Sequence, residues 1–154
     1  MRLFVAAAFA ALPASSLTAQ TAAPPVSTDY TYAIPLAGNW TYGATGGDVT
    51  FLNSSAMPQL TLRCDRTTRR VSISKPASVA VPFLSVWTSS ATRNVPASFN
   101  PATQRVTIEL SSYDPLLDAL AFSRGRIAVY VAGSPALVLP AWPEVARVIE
   151  DCRA

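Results

Sequence analysis

The chain has 154 residues, a formal net charge of +3, two cysteines and no histidine. This length is that of one domain, and so small a basic excess does not indicate a nucleic-acid partner. Without histidine, the chain lacks the usual base of serine and cysteine hydrolases and the commonest ligand of transition metals. We therefore expect no catalytic site of these classes, no metal site and no cofactor.

The N-terminus has the pattern of a secretory signal peptide. Arg2 precedes an apolar run over residues 3–12, and Ala19 offers a small residue before a cut. The run is shorter than the roughly 18 apolar residues of a transmembrane helix, and no later stretch reaches that length. We expect a signal peptide over residues 1–19, cleavage near Ala19, and a periplasmic or secreted protein without a transmembrane segment in its mature chain. A buried N-terminal helix is the alternative.

The segment after this signal is rich in proline and has little hydrophobic periodicity. Residues 20–35 therefore predict an extended, flexible N-terminal segment, followed by a single β-rich domain over residues 36–154. Trp40 is a candidate core anchor on the first strand, and the glycines of residues 43–47 predict a turn.

Alternation of apolar and polar residues predicts most of the strands. Leu60, Leu62 and Cys64 alternate with polar residues, so the cysteine should share the buried face of its strand. Val71 and Ile73 continue the pattern after a turn, which predicts a hairpin. Further strands are predicted around residues 83–89, 92–95, 106–110, 127–131 and 136–139.

Two segments favour helices. Asp114 and Pro115 are typical of the start of a helix, and Gly125 is placed to end it. At the C-terminus, a helix opening at Pro143 would carry one apolar stripe that includes Cys152. Together these elements predict a mainly β (α+β) domain, an antiparallel β-sandwich or small barrel with one short internal helix and a C-terminal helix.

The two cysteines predict a structural disulfide. Cys64 and Cys152 are both expected on buried faces, one on a strand and one on the last helix, in an exported chain. Closing a loop of this length would stabilise the fold by about 4 to 5 kcal/mol in the chain-entropy model.

Other candidate sites are weaker. Ser72-Ile73-Ser74-Lys75 matches the S-x-x-K motif of penicillin-recognising enzymes, but on a strand the serines and the lysine face opposite sides. Asp114 and Asp118 are better explained as a helix cap and an exposed helical residue than as a catalytic pair. We expect no enzyme.

Two kinds of binding residue remain as hypotheses. Arg124 and Arg126, on a short polar segment between two elements, could contact an anion, or could cover the end of the preceding helix. The tryptophans could line a groove, although packing in the core is the simpler interpretation for Trp40, Trp87 and Trp142.

Residues 59–152 resemble the small periplasmic β-sandwich domains of invasion-associated locus B proteins and of some type VI secretion-associated periplasmic proteins. The resemblance rests on the strand Leu60-Thr61-Leu62-Arg63-Cys64, the Pro-Leu-Leu-Asp-Ala-Leu segment at 115–120, and the final helix with its near-terminal cysteine. It implies an exported, disulfide-stapled, non-enzymatic sandwich. We expect such a domain to bind another periplasmic protein or an envelope component.

A second resemblance suggests an alternative. Leu36-Ala37-Gly38-Asn39-Trp40 is similar to the segment with which periplasmic inhibitors of secreted metalloproteases often begin. This similarity implies a protease inhibitor that would use residues 20–35 as an inserting tail.

Overall fold

In the part of the chain that the computed structural model describes, residues 29–44 and 46–154, ten strands form two antiparallel sheets, and two helices complete the fold. In chain order the elements are β1 (Gly38–Tyr42), β2 (Asp48–Asn53), β3 (Pro58–Asp65), β4 (Arg70–Pro76), β5 (Phe83–Trp87), β6 (Thr92–Pro96), β7 (Ser98–Asn100), β8 (Arg105–Ser111), α1 (Pro115–Ala121), β9 (Arg126–Tyr130), β10 (Leu137–Pro140) and α2 (Pro143–Asp151). The expected signal peptide, residues 1–19, and residues 20–28 of the expected extended segment lie outside the described residues.

The two sheets enclose one main core. The six-stranded sheet has the order β1-β2-β3-β4-β8-β7, and the four-stranded sheet has the order β10-β9-β5-β6. Alternate residues of each strand face inward, as the pleat requires; among them are Phe51, Leu62, Ile73, Ile108 and Val129. The predicted fold class, a mainly antiparallel β domain with an internal and a C-terminal helix, is confirmed, and the two separate sheets make it a sandwich.

Two strands were not anticipated from the sequence. β2 lies between β1 and β3 and contributes Val49 and Phe51 to the core. β7 is only three residues long and forms the edge beside β8. The predicted strand at 136–139 is displaced by one residue, since β10 covers Leu137–Pro140.

The start of α1 follows the prediction and its end does not. The Asp114 carboxylate accepts a hydrogen bond from the Leu116 amide at 2.8 Å, which makes it the expected N-cap. The helix ends at Ala121 with Phe122 as its C-cap, so the prediction that Gly125 ends it is wrong. The chain has already turned at Ser123, and Gly125, with φ of 74°, serves the turn into β9 instead.

The C-terminal helix is fixed to the six-stranded sheet. Val145, Val148 and Ile149 form the buried stripe of α2, and the predicted disulfide joins Cys152 to Cys64 on β3, with Cα atoms 5.4 Å apart. The disulfide prediction is therefore confirmed.

Contacts of the penultimate residue reinforce this attachment. Arg153 donates from Nε to the carbonyl of Ser112 at 2.7 Å, and its Nη2 lies 2.7 Å from Asp118 Oδ1. Asp118, expected as a plain exposed helical residue, is thus part of the contact between the chain's last residues and α1.

The N-terminal segment is packed on the outer face of the four-stranded sheet. Tyr30 is only 6% exposed, with its ring edge-on to Trp87 at 5.7 Å and tilted against Tyr130 at 6.1 Å. The Leu36 amide donates to the carbonyl of Val138 on β10 at 2.8 Å. Residues 29–36 therefore contact the sheet, where the Tyr30 ring covers apolar surface that would otherwise face water.

Candidate functional site

The turn between α1 and β9 is held by serine side chains. Ser123 is buried, and its Oγ donates to the carbonyl of Arg126 at 2.6 Å. The same Oγ accepts from the amide of Ser89 at 3.0 Å, while Ser89 Oγ accepts from the amide of Arg124 at 2.8 Å. The turn at residues 122–126 is therefore fixed to the loop that follows β5, and these hydrogen bonds hold its backbone in place.

Two distant segments of the chain meet this turn. Arg126 Nη1 donates to the carbonyl of Ala33 at 2.7 Å, which ties the N-terminal segment to the start of β9. The amide of Ala141 donates to the carbonyl of Gly125 at 3.3 Å, and Pro140 pairs with Arg126 in the sheet. Hydrogen bonds thus connect the segments 29–36 and 140–142 to the turn at residues 122–126.

These three segments expose large apolar side chains. Tyr32 is 92% exposed, Ile34 91%, Phe122 77% and Trp142 40%. We call these four residues, together with the exposed Arg124 on the turn, the turn patch. Single exposed apolar residues are ordinary on a protein surface, whereas several on adjoining segments are typical of an interaction site.

The structure gives the two arginines of the sequence hypothesis different roles. The guanidinium of Arg126 is bonded to the Ala33 carbonyl, so it positions the N-terminal segment. Arg124 is exposed, and within the described residues its side chain forms no ion pair. Anion contact stays a prediction for both arginines; the hydrogen bond that the structure gives the Arg126 side chain goes to the Ala33 carbonyl and not to the carbonyls of α1.

Two of the three tryptophans are buried and one is exposed. Trp40 is buried in the main core and donates from Nε1 to the carbonyl of Pro140 at 2.9 Å, and Trp87 is buried under Tyr30. Trp142 alone of the three presents a large exposed surface. Packing therefore explains two tryptophans, and the third belongs to the turn patch.

The outer face of the six-stranded sheet is polar and satisfies much of its own hydrogen bonding. One row of hydroxyl residues crosses all six strands, as the register of the strands shows: Thr41, Thr50, Thr61, Ser74, Thr107 and Ser98. Arg105 lies across this row and donates to Thr61 Oγ1 at 3.1 Å and to Ser74 Oγ at 3.2 Å. Among the described residues of this face, Leu52 is half-buried, and no large apolar side chain is as exposed as those of the turn patch.

The residues of the candidate catalytic motifs have structural roles. Ser74 Oγ accepts a hydrogen bond from Arg105. Lys75 lies on the other face of β4, together with Ile73. Asp114 accepts from Arg93 at 2.9 Å as well as from Leu116. Burial would raise the pKa of Asp114, but the hydrogen bonds from Arg93 and Leu116 and the nearby guanidinium outweigh it, so the pKa is lowered.

The described residues carry no metal-ligand cluster and no membrane-spanning helix. Among the described residues, histidine, cysteine and acidic side chains form no group of three that could hold a metal ion. Neither helix in residues 29–154, with residue 45 left aside, has the length and apolar character to cross a membrane. No protein-family model matches the chain, and no curated protein or solved structure matches it either.

The turn patch itself was not predicted from the sequence. Trp142 was noted as a groove candidate, but Tyr32, Ile34 and Phe122 were not singled out. The only available signal was two tyrosines within a proline-rich segment, Tyr30 and Tyr32. Tyr30 is buried and Tyr32 is exposed because of a sheet that is formed by residues 83–140, far from both tyrosines in the sequence.

Proposed function

We propose that this chain is an exported, non-enzymatic domain that binds another protein through the turn patch. The observation that carries the proposal is the exposure of Tyr32, Ile34, Phe122 and Trp142 on three segments that hydrogen bonds join to the turn bearing Arg124. Aromatic residues and arginine dominate the binding energy of protein interfaces, since they combine large apolar area with directed hydrogen bonds. A partner surface with an apolar centre and a carboxylate opposite Arg124 would complement it.

Export is part of this proposal. It is supported by the signal-like pattern of residues 1–19 and by the Cys64–Cys152 disulfide, because disulfides persist in oxidising compartments such as the periplasm. N-terminal sequencing of the protein recovered from outside the cytoplasm should locate the new terminus near Ala19. An intact residue 1 on that protein would contradict it.

The binding proposal is tested with one patch variant and one matched control. Phe122→Ser removes an exposed aromatic residue from the patch, and Met57→Ser removes an exposed apolar residue from the β2–β3 turn. Tagged wild-type protein and both variants are used to capture partners from a native periplasmic extract. We expect Phe122→Ser to reduce the recovered partner by about tenfold or more, as hot-spot truncations do, and Met57→Ser to leave it unchanged.

An envelope component is the other class of partner, and the same variants test it. Purified protein is sedimented with isolated cell-envelope fractions. Retention that survives Phe122→Ser would contradict the turn patch as the binding surface, as would equal loss of captured protein in both variants.

The protease-inhibitor alternative can be separated from this proposal by a deletion. Tyr30 and Ala33 hold the N-terminal segment on the domain, so the deletion must stop at residue 28 to spare the turn patch. Removing residues 20–28 should leave partner capture intact. If the chain instead inhibits a secreted metalloprotease through its tail, this deletion should abolish inhibition.

A further inference from the structure

Lys75 occupies a position on β4 where an apolar residue would be expected. It continues the inward face set by Val71 and Ile73, and its cross-strand neighbour on β8 is the fully buried Val106. It is also the only lysine in the chain. Its ammonium is therefore directed toward one end of the space between the sheets, and the side chain is only partly exposed.

Among the described residues, this ammonium has no carboxylate partner. Three acidic side chains form ion pairs within that part of the chain, and their partners are Arg70, Arg93 and Arg153. Lys75 Nζ donates only to the carbonyl of the adjacent Pro76, at a long 3.4 Å. Burial lowers the pKa of Lys75, which reflects the cost of removing an unpaired charge from water.

An open cleft of about 330 Å³ lies beside Lys75. Pro76, Pro135, Ala136 and Leu137 make most of its lining apolar, and Gln59 and Ser134 add two neutral polar side chains. The volume is at the lower end of the range for small-molecule sites, about 300 to 1,000 Å³. The cleft thus combines a mainly apolar lining with one unneutralised cation.

We propose that this cleft binds a small monocarboxylic acid, with its carboxylate paired to Lys75 Nζ and its short apolar body against Pro135 and Leu137. A monoanion matches the single cation. A phosphate group carries more charge and is usually held by several charged donors, whereas Lys75 is the only charged residue in the lining. The site is separate from the turn patch, so it goes beyond the proposed protein binding and does not depend on it.

The single lysine makes a direct test possible. An amine-reactive ester can modify only Lys75 and the N-terminal amine, and mass spectrometry distinguishes the two products. Hexanoate, at ten times its dissociation constant, should slow labelling of Lys75 about tenfold and leave the N-terminal amine unaffected. Hexanamide, which has the same apolar body without the charge, should give no such protection. Equal protection by both compounds, or none by hexanoate, would overturn the proposal.

Two variants at the same position provide an independent measurement. Hexanoate should raise the melting temperature of wild-type protein and of Lys75→Arg, which keeps the cation, and should not raise that of Lys75→Met. An unchanged hexanoate effect in Lys75→Met would contradict the proposal. Repeating the labelling with N-acetyl-alanyl-leucine tells whether a peptide C-terminus is accepted as well as a free acid; protection by either supports the carboxylate site. Phe122→Ser should leave the protection of Lys75 by hexanoate unchanged. The carboxylate site can therefore be confirmed or refuted whether or not the turn patch binds a protein.

Discussion

The two ends of the described chain are attached to the sandwich in different ways. At the C-terminus, Cys152 is covalently joined to β3, and Arg153 is bonded to Ser112 and Asp118. At the N-terminus, attachment is entirely non-covalent and centres on the ring of Tyr30. The covalent end restrains the unfolded chain as well as the native one, whereas the non-covalent end can open while the rest of the domain stays folded.

The sheet faces explain why the N-terminal segment is needed. The outer face of the four-stranded sheet carries Trp87, Ala128 and Tyr130, which cluster apart from the main core and are covered by Tyr30. The six-stranded sheet instead presents hydroxyl groups, such as those of Thr50 and Thr61, which lie 3.0 Å apart. An apolar face must be covered and a polar one need not be. The segment that provides the cover also carries two residues of the turn patch.

The largest effect is expected from removing the covalent attachment. Replacing Cys64 and Cys152 by serine opens a bridge that spans 88 residues, which lowers the free energy of unfolding by up to about 4 to 5 kcal/mol. Urea unfolding of the oxidised wild type and the double variant measures this directly. A difference below about 1 kcal/mol would show that the disulfide does not dominate the stability of this end.

A smaller effect is expected at the non-covalent end. Tyr30→Ala should lower the free energy of unfolding by about 2 kcal/mol, less than the 3 to 5 typical of core aromatic residues, because the segment can detach locally. Tyr32→Ala is the matched control, since Tyr32 is two residues away and almost fully exposed. Urea unfolding should show a change near zero for the control, and equal effects would contradict the packing of Tyr30.

The stability of α1, the helix to which Arg153 is bonded, should also depend on pH. Asp114 caps α1, and its pKa is lower in the folded protein than the usual value of about 3.9. Its stabilising contribution is therefore complete above about pH 4 and is lost as the pH falls through the lowered folded pKa. Asp114→Ala should cost about 1 kcal/mol at neutral pH and flatten the acid limb of a stability profile measured by chemical unfolding. An unchanged acid limb would assign the effect elsewhere.

The smallest effect, of opposite sign, is expected from Tyr30→Phe. The Tyr30 hydroxyl is buried and has no hydrogen-bond partner among the described residues. Removing it relieves an unsatisfied polar group while the ring contacts remain, so stability should be unchanged or rise by up to about 1 kcal/mol. Thermal unfolding beside the wild type checks this, and a clear loss of stability would reveal a partner for the hydroxyl.

How far the sequence predicts each end follows from the range of the interactions involved. The C-terminal attachment could be predicted because local patterns were sufficient: alternation placed Cys64 on a buried strand face, and a helical stripe placed Cys152 on another. The burial of Tyr30 could not, because it depends on Trp87 and Tyr130, which no local pattern connects to it.

The candidate site is less predictable for the same reason. The turn patch forms only where three segments meet through bonds such as Arg126 to Ala33, which are 93 positions apart. β2 is not predicted although Val49 and Phe51 alternate correctly, since it directly follows a glycine-rich turn. The sequence favours Gly125 as the end of α1 because glycine commonly stands at that position. In the structure the chain turns earlier, where the Ser123 hydroxyl donates to the Arg126 carbonyl.

Amide hydrogen exchange across the N-terminal segment of the oxidised protein tests most directly whether this segment belongs to the fold. The amides of Ala33 and Leu36 donate to the carbonyls of Tyr30 and Val138, at 3.1 and 2.8 Å. They should exchange slowly in the wild type and become markedly faster in Tyr30→Ala, while amides of β3 and β4 keep their protection. Exchange of Ala33 and Leu36 at the rate of an unstructured chain in the wild type would contradict the claim that this segment belongs to the fold.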